Sequence, residues 1–329
     1  MFSGKHILIA PLDWGMGHAT RCVPIINDLE KNNRILIGVT SSTKQIFRDT
    51  FPHINTVDLP EYKIKYARYL PVWLKILFDW PRINTVIMQE NAALKNIIQQ
   101  HQIDCVISDN RFGLYSKKIY CIFITNQLFI KAPFLNRAAQ FVNQKFILRF
   151  NEVWVPDYED EKISLSGELS HGKHFHGNIK YIGPQSRLNK LPGIALKYDF
   201  LILLSGPQPQ HGLLAEQFIE ISNKYPHLKF AMTSSLIQIE ASKNLDVLYQ
   251  PNALELSDAI LKSKAVICRS GYSTLMDMNL LGKKNLFLIP TKGQTEQEYL
   301  AKYWNKKYGT FLIQKNDLES IFTNSISID

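Results

Sequence analysis

Short apolar runs alternate along this chain with longer stretches in which apolar residues return every three or four positions. That is the pattern of buried parallel strands joined by amphipathic helices. Residues 6–10 (HILIA) read as a buried strand, and from Ala19 onward Cys22, Ile25, Ile26 and Leu29 keep helical spacing. Further strands are expected at 34–39, 54–59, 104–107 and 119–124, with a helix over 85–100. Residues 62–80 (YKIKYARYLPVWLKILFDW) break the alternation with interleaved aromatics and lysines. This segment reads either as a helical excursion packed on its own domain or as an amphipathic surface suited to a bilayer headgroup region. A strand-like run ends at Tyr181-Ile182-Gly183-Pro184, and the polar residues 186–197, with Pro192 and Gly193, read as a linker. The alternation then restarts. Strands are expected at 200–204, 229–232, 247–249, 265–268 and 285–289, and helices at 213–223, 254–261, 273–281 (stopped by Gly282) and from Gln294 onward. The pattern predicts an α/β fold of two facing Rossmann-like domains, 1–184 and 185–329, each opening on a strand and a glycine-containing turn. Two such halves imply a cleft between them that suits two substrates.

Length supports that division, because 329 residues is about two domains' worth. No stretch approaches the roughly 18 apolar residues of a membrane span, and Lys5 and His6 run at once into a short strand, which does not read as a signal peptide. An intracellular, soluble protein is expected. The four cysteines (Cys22, Cys105, Cys121, Cys268) are far apart, form no C-x-x-C and read as buried thiols. A formal charge of +9 favours anionic partners such as nucleotide diphosphates or an anionic membrane surface. The lysines are dispersed and no nucleic-acid motif occurs, so no nucleic-acid partner is expected. His171, His174 and His176 lie in a glycine-flanked run without a carboxylate, and no D-x-D occurs, so neither a metal site nor a cofactor is expected.

The chemistry concentrates in strand-to-helix turns, since ligands of open α/β sheets bind outside the carboxyl ends of the strands. In the first half, Gly15-Met16-Gly17-His18-Ala19-Thr20 lacks the third small residue of a dinucleotide fingerprint, and the second strand ends in Thr40-Ser41-Ser42 without an acidic residue. NAD and FAD are disfavoured. The turn instead brings His18 to a helix start, where it is a candidate general base, with Asp13 and Arg21 able to orient it or to hold an acceptor. Ser108-Asp109-Asn110-Arg111 follows the fourth strand directly, so in a parallel sheet Asp109 faces the same place as His18. Asp109 is an acceptor ligand, a second candidate base, or an ordinary Asx turn.

In the second half, Arg269-Ser270-Gly271 follows one buried strand, and 290–294 follows the next. Both turns predict a phosphate at helix N-termini, and the Ser205-Gly206-Pro207-Gln208-Pro209 turn presents further N–H groups, so that a diphosphate would meet backbone dipoles and the Arg269 guanidinium. Gly271 permits close backbone approach, Ser273 and Thr274 supply hydroxyls, and Asp277, Glu296 and Gln297 supply acceptors for sugar hydroxyls.

Arg269-Ser270-Gly271 with Thr274 and Asp277, then Pro290 and the Glu296-Gln297 pair with Ala301 behind it, together resemble the nucleotide-sugar motif of family 28 glycosyltransferases, and Gln294 is a further candidate for nucleotide-sugar binding. That family includes the enzyme adding N-acetylglucosamine to lipid-linked muramyl-pentapeptide. The turn with Gly15, Gly17 and His18 is similar to the Gly-His turn at the head of the same family. The resemblance implies the GT-B fold, with an acceptor-binding first domain and a nucleotide-sugar-binding second one. It implies transfer of a sugar from a nucleotide diphosphate, a UDP-sugar above all, to the hydroxyl of a glycan or lipid-linked acceptor without a metal. In it, Asp277 stands where the family holds the ribose, Glu296-Gln297 where it reads the donor sugar, and Asn252 with Glu255 near where it holds the base. Asp277 replaces a Glu of the family pattern, and Glu296 a Gln. Sugar-nucleotide epimerases share this architecture and are the rival reading, as is a nucleotide-sugar-binding protein without catalysis.

Overall fold

The computed structural model describes residues 2–63, 72–131, 136–173, 175–193, 195–204, 210–235, 242–314 and 317–323. Ser205, Gly206 and the rest of the turn to Pro209 lie outside the described residues, as do His174, Lys65 and Arg68. The chain divides into two compact units, Met1–Ser186 and Arg187–Asp329.

The first unit is built on a seven-stranded sheet in the order β3-β2-β1-β4-β5-β6-β7, with every pairing parallel. Its strands are β1 (His6–Pro11), β2 (Arg34–Val39), β3 (Thr56–Asp58), β4 (Cys105–Asp109), β5 (Tyr120–Ile124), β6 (Glu152–Val155) and β7 (Ile179–Tyr181). Helices α1 (Met16–Leu29), α2 (Lys44–Thr50), α3 (Val72–His101) and α4 (Asn136–Ile147) connect them. Alternate strand residues feed two cores. Ile7, Ile9, Ile37 and Ile107 pack with Cys22, Ile26 and Leu29 of α1, whereas Leu8, Leu36, Val106 and Phe123 pack with Leu94 and Ile97 of α3. Burial on both faces is why the strands read as unbroken apolar runs.

Four elements of this unit differ from the sequence expectation. The helix expected at 85–100 begins at Val72 and continues through Pro81, so the aromatic segment is helical from there on. A short polar helix, α2, and the four-residue β6 carry too little pattern to stand out, and α4 has a polar, Asn- and Gln-rich sequence in which, among the described side chains, Phe146, Ile147 and Asn143 are the buried ones. All four cysteines are buried and free.

The second unit carries a six-stranded parallel sheet in the order β10-β9-β8-β11-β12-β13. Its strands are β8 (Tyr198–Leu203), β9 (Phe230–Ser234), β10 (Leu245–Tyr249), β11 (Ser263–Cys268), β12 (Leu286–Leu288) and β13 (Phe311–Leu312). The helices are α5 (Gln210–Lys224), α6 (Ala253–Leu261), α7 (Tyr272–Leu281), α8 (Thr295–Tyr308) and α9 (Ser320–Thr323). Gly282 ends α7 in a left-handed conformation (φ 74°), and the Lys283 N–H closes onto Met278 O at 2.8 Å. The edge elements β13 and α9 are additions to the expected order.

Strand order reverses once in each sheet, between β1 and β4 and between β8 and β11. There the carboxyl ends lie side by side, with Pro11 opposite Asp109 and Leu203 opposite Cys268.

Below the β1 edge, α3 approaches the β4–β5 loop closely enough to demand glycine at 113. A Cβ there would sit 2.3 Å from Ile87 O and 2.6 Å from Glu90, whose Oε2 accepts the Gly113 N–H at 3.0 Å. Gly113→Ala should destabilise the protein by about 1–3 kcal/mol through overpacking. Urea unfolding measures it, and an unchanged midpoint would mean that α3 moves aside freely.

Candidate functional site

At the first reversal, α1 starts three residues earlier than the apolar spacing suggested, so Gly17 and His18 belong to its first turn. Gly15 precedes the helix at φ 114°, a conformation open in practice to glycine alone, although a Cβ there would meet nothing within 4 Å. His18, Arg21 and Cys22 are spaced i, i+3, i+4 and therefore share the face of α1 that meets the end of β4.

Their common partner is Asp109. Its Oδ1 lies 2.9 Å from His18 Nδ1 and accepts from Arg21 Nη2, and its Oδ2 accepts from Arg21 Nε at 2.6 Å and from Cys22 Sγ at 3.6 Å. Arg21 Nη1 also donates to Asn126 Oδ1 at 3.3 Å, which brings in the loop after β5. Asp109 is 0% exposed, whereas the His18 side chain is 21% exposed. Burial alone would raise the Asp109 pKa, but the Arg21 guanidinium and then His18 outweigh it and hold the carboxyl down at about 2. Asp109 is thus an ionised group behind the imidazole. Asn110, the next residue, turns the chain away with φ 57°, which Asn tolerates better than most residues.

A second buried network lies under the same turn. Arg111, fully buried, donates to Pro11 O at 2.7 Å, to Pro60 O at 3.0 Å and to Glu90 Oε1 at 2.7 Å. Glu90 Oε2 accepts from Tyr62 OH at 2.8 Å, and Asp13 Oδ2 accepts the Tyr62 N–H at 3.1 Å. Asp13 Oδ1 stands 3.6 Å from Arg111 Nη2. Burial pushes the Glu90 carboxyl up, with Arg111 opposing. Asp13 therefore braces the turn against the 60–62 segment.

In the second unit, Arg269 is 9% exposed, and its Nη1 donates to Ile289 O at 3.1 Å and Pro290 O at 3.4 Å. Burial lowers its pKa, and among the described residues no carboxylate pairs with it. Gly271 is the N-cap residue of α7, which has no side-chain cap. Its φ of −68° is ordinary and a Cβ there would meet nothing within 4 Å, so neither strain nor crowding within the protein requires glycine. Thr274 and Asp277 follow on α7, partly buried, and Asp277 has the Arg187 guanidinium as a charge neighbour. Several motif residues are bonded to one another or to nearby backbone. Ser270 Oγ donates to Gln297 O at 2.8 Å, Gln297 Oε1 accepts the Thr291 N–H at 2.9 Å, and Gln297 Nε2 donates to Gln294 Oε1 at 2.5 Å. Glu296 sits in the first turn of α8. Asn252 and Glu255 form a reciprocal capping box on α6, with bonds of 3.0 and 2.9 Å.

Four residues escape a reading of the sequence alone. Asn126 and Arg187 sit in loops without a motif, Glu90 reads as a surface position of a long helix, and Arg111 gives no sign that its partners lie on three other segments. Among the described residues no group of three His, Cys, Asp or Glu side chains is placed to hold a metal ion.

Residues 210–326 match the sequence profile of the glycosyltransferase family 28 C-terminal domain. Compared by sequence with curated proteins, the chain finds no match. Among solved structures it is similar to CalG4, the calicheamicin glycosyltransferase, with a TM-score of 0.67 at 13% identity over 97% of this chain and 88% of that one. It is similar to the Acinetobacter baumannii MurG, with a TM-score of 0.57 at 12% identity over 97% and 90%. The spinosyn rhamnosyltransferase SpnG complexed with thymidine diphosphate gives a TM-score of 0.63 at 9% identity over 94% and 86%. The fold is that of the GT-B glycosyltransferases, two Rossmann-like domains, and with a family 28 C-terminal domain in its second half the chain is a glycosyltransferase.

The state of Asp109 generates a stability prediction. Its folded pKa of about 2 lies below the ordinary 3.8, so its contribution is fully present above pH 3.8 and is lost as pH falls through about 2. The shift corresponds to about 2 kcal/mol. Unfolding measured from pH 5 to pH 2 should show this loss in the wild type and a flatter profile in Asp109→Asn. Equal slopes would mean that Asp109 is not held ionised.

Proposed function

We propose that the protein transfers a sugar from a nucleotide diphosphate, a UDP-sugar, to an acceptor hydroxyl by direct displacement, with His18 as the general base. The observation that carries this reading is the 2.9 Å contact between His18 Nδ1 and the buried, ionised Asp109. With the Nδ1 proton donated to Asp109, the Nε2 lone pair is left to take the acceptor proton, and the imidazolium that forms keeps a carboxylate behind it. Asp109 itself, at 0% exposure behind the ring, orients the base. Asp13, Gly15, Gly17 and Arg21 shape the acceptor side of the same turn.

The donor falls to the second unit. Arg269, desolvated and paired only with backbone carbonyls among the described residues, suits a diphosphate that restores its charge balance. Gly271 leaves room for a phosphate to reach the start of α7, where the uncapped N–H groups and the helix dipole favour an anion. Developing charge on the leaving diphosphate is stabilised by these groups, without a metal ion in the scheme. Thr274 and Asp277 hold the ribose, and Glu296 meets the donor sugar. Ser270, Gln294 and Gln297 fix the loop that carries them, and Asn252 acts through the start of α6.

A lipid-linked acceptor and docking on an anionic membrane have their own support. Phe78 on α3 and Phe141 on α4 are 67% and 68% exposed, while the inner faces of these helices pack together through Trp80 and Phe146, with ring centroids 6.2 Å apart. Lys145, Leu148 and Arg149 continue the exposed stripe of Phe141, and Arg82 follows Phe78 by one turn. Apolar rings ringed by cations suit an anionic interface. Among the described residues no helix is long and apolar enough to cross a membrane.

His18→Ala should lower turnover about a hundredfold to ten-thousandfold and leave donor affinity unchanged. Turnover within a few-fold of wild type would make His18 structural. Asp277→Ala should weaken nucleoside diphosphate binding by about 1–3 kcal/mol, read by calorimetry, and unchanged affinity would remove it from the site. In flotation with phosphatidylglycerol vesicles at low salt, the protein should rise and Phe78→Ser/Phe141→Ser should stay down; equal flotation of both would discard this surface.

A further inference from the structure

His18, Arg21 and Asp109 close a triangle. His18 Nδ1 is 2.9 Å from Asp109 Oδ1 and 2.9 Å from Arg21 Nη2. One ring nitrogen cannot donate to the first and accept from the second at the same time. The guanidinium also binds both oxygens of the carboxylate, Nε to Oδ2 and Nη2 to Oδ1. A histidine backed by a lone carboxylate gains strongly when it takes a proton, because a buried negative charge is neutralised. Here that charge is already matched. With a neutral ring the cluster has no net charge, and with a protonated ring it is a partly buried cation.

We propose that Arg21 is a positioning residue of the base: by cancelling the charge of Asp109 it keeps the His18 ring unprotonated, and so able to accept a proton, as the pH falls. The proposal rests on the reading of His18 as the base. Among the described residues, the charged or titratable groups facing His18 are Asp109 from β4 and Arg21 and Cys22 from α1. Cys22 stays a neutral thiol, since burial pushes it well above its ordinary range. Asn126, which accepts from Arg21, carries no charge, and Asp13 on the preceding turn faces Tyr62 and Arg111 instead. Arg21 therefore sets the charge balance of the ring from a buried position on α1.

The test is the titration of the His18 ring nitrogens by NMR on the full-length protein, which needs no substrate. A unit charge about 4 Å away, at the effective dielectric of about 20 that suits such pairs, is enough to move a titration by more than one pH unit. In Arg21→Gln the His18 midpoint should rise by at least one pH unit over the wild type, and in Arg21→Lys, which keeps the charge, it should stay within a few tenths. Arg21→Gln leaves Asp109 unmatched and can fail to fold, so the same comparison is made between Asp109→Asn and Asp109→Asn/Arg21→Gln, where the second should again titrate at least one unit higher. A midpoint unmoved by removal of the guanidinium in the variants that fold, or one moved as far by Arg21→Lys as by Arg21→Gln, would overturn the proposal. Failure of sugar transfer would leave these titrations readable, so the two readings fail separately.

Discussion

The β1–α1 turn of this protein depends on keeping one carboxylate charged where water does not reach it. Asp109 ends a central strand with no exposure, and taking an ion out of water there costs several kcal/mol. The two-point bond from Arg21 offsets that cost, and it does so from α1. Helix, strand and loop are thereby tied at one point, since the same guanidinium reaches Asn126 after β5. His18 comes to its place as a consequence. It lies one turn before Arg21 on the same helical face, so an ion pair that fixes the rotation of α1 over the sheet also fixes the imidazole against Asp109.

The buried arginines of the chain have different partners, and the difference separates the work of its halves. Arg21 is matched by Asp109, and Arg111 by Glu90 and Asp13, so the β1–α1 turn is braced by buried ion pairs. Arg269 has carbonyl oxygens alone as described partners, and burial disfavours its charge. A cation held in that way has no acidic partner among the described residues of a second half whose residues 210–326 match the family 28 C-terminal domain.

The architecture was legible in the sequence because a parallel sheet covered on both faces writes each strand as an unbroken apolar run, and glycines mark where helices stop. The runs at 6–10 and 34–39 and the Gly282 stop needed no tertiary information. Helix α4 was not legible, because few of its residues are buried and the rest are polar or exposed. His18, at the start of the first helix, and Asp109, at the carboxyl end of the fourth strand, were expected to face the same place in a parallel sheet. Their meeting at 2.9 Å follows from the pairing of Pro11 with Asp109, a contact that local spacing does not encode. The roles of Arg111 and Glu90 were hidden for the same reason. Each is defined by partners that the fold, and not the chain, makes neighbours, and Glu90 in a long helix has the appearance of solvated surface.

The donor motif divides in a way that residue identity alone does not reveal. Several of its polar side chains have hydrogen-bonding groups engaged within the protein. Ser270 is bonded to the α8 backbone, the Gln297 amide spans Thr291 and Gln294, and Asn252 closes a cap with Glu255. Removing any of them would disturb a loop before it disturbed a contact to substrate, since each bond holds a turn in place. Arg269 and the uncapped start of α7 are arranged otherwise, with charge and N–H groups that the described protein does not match with an acid.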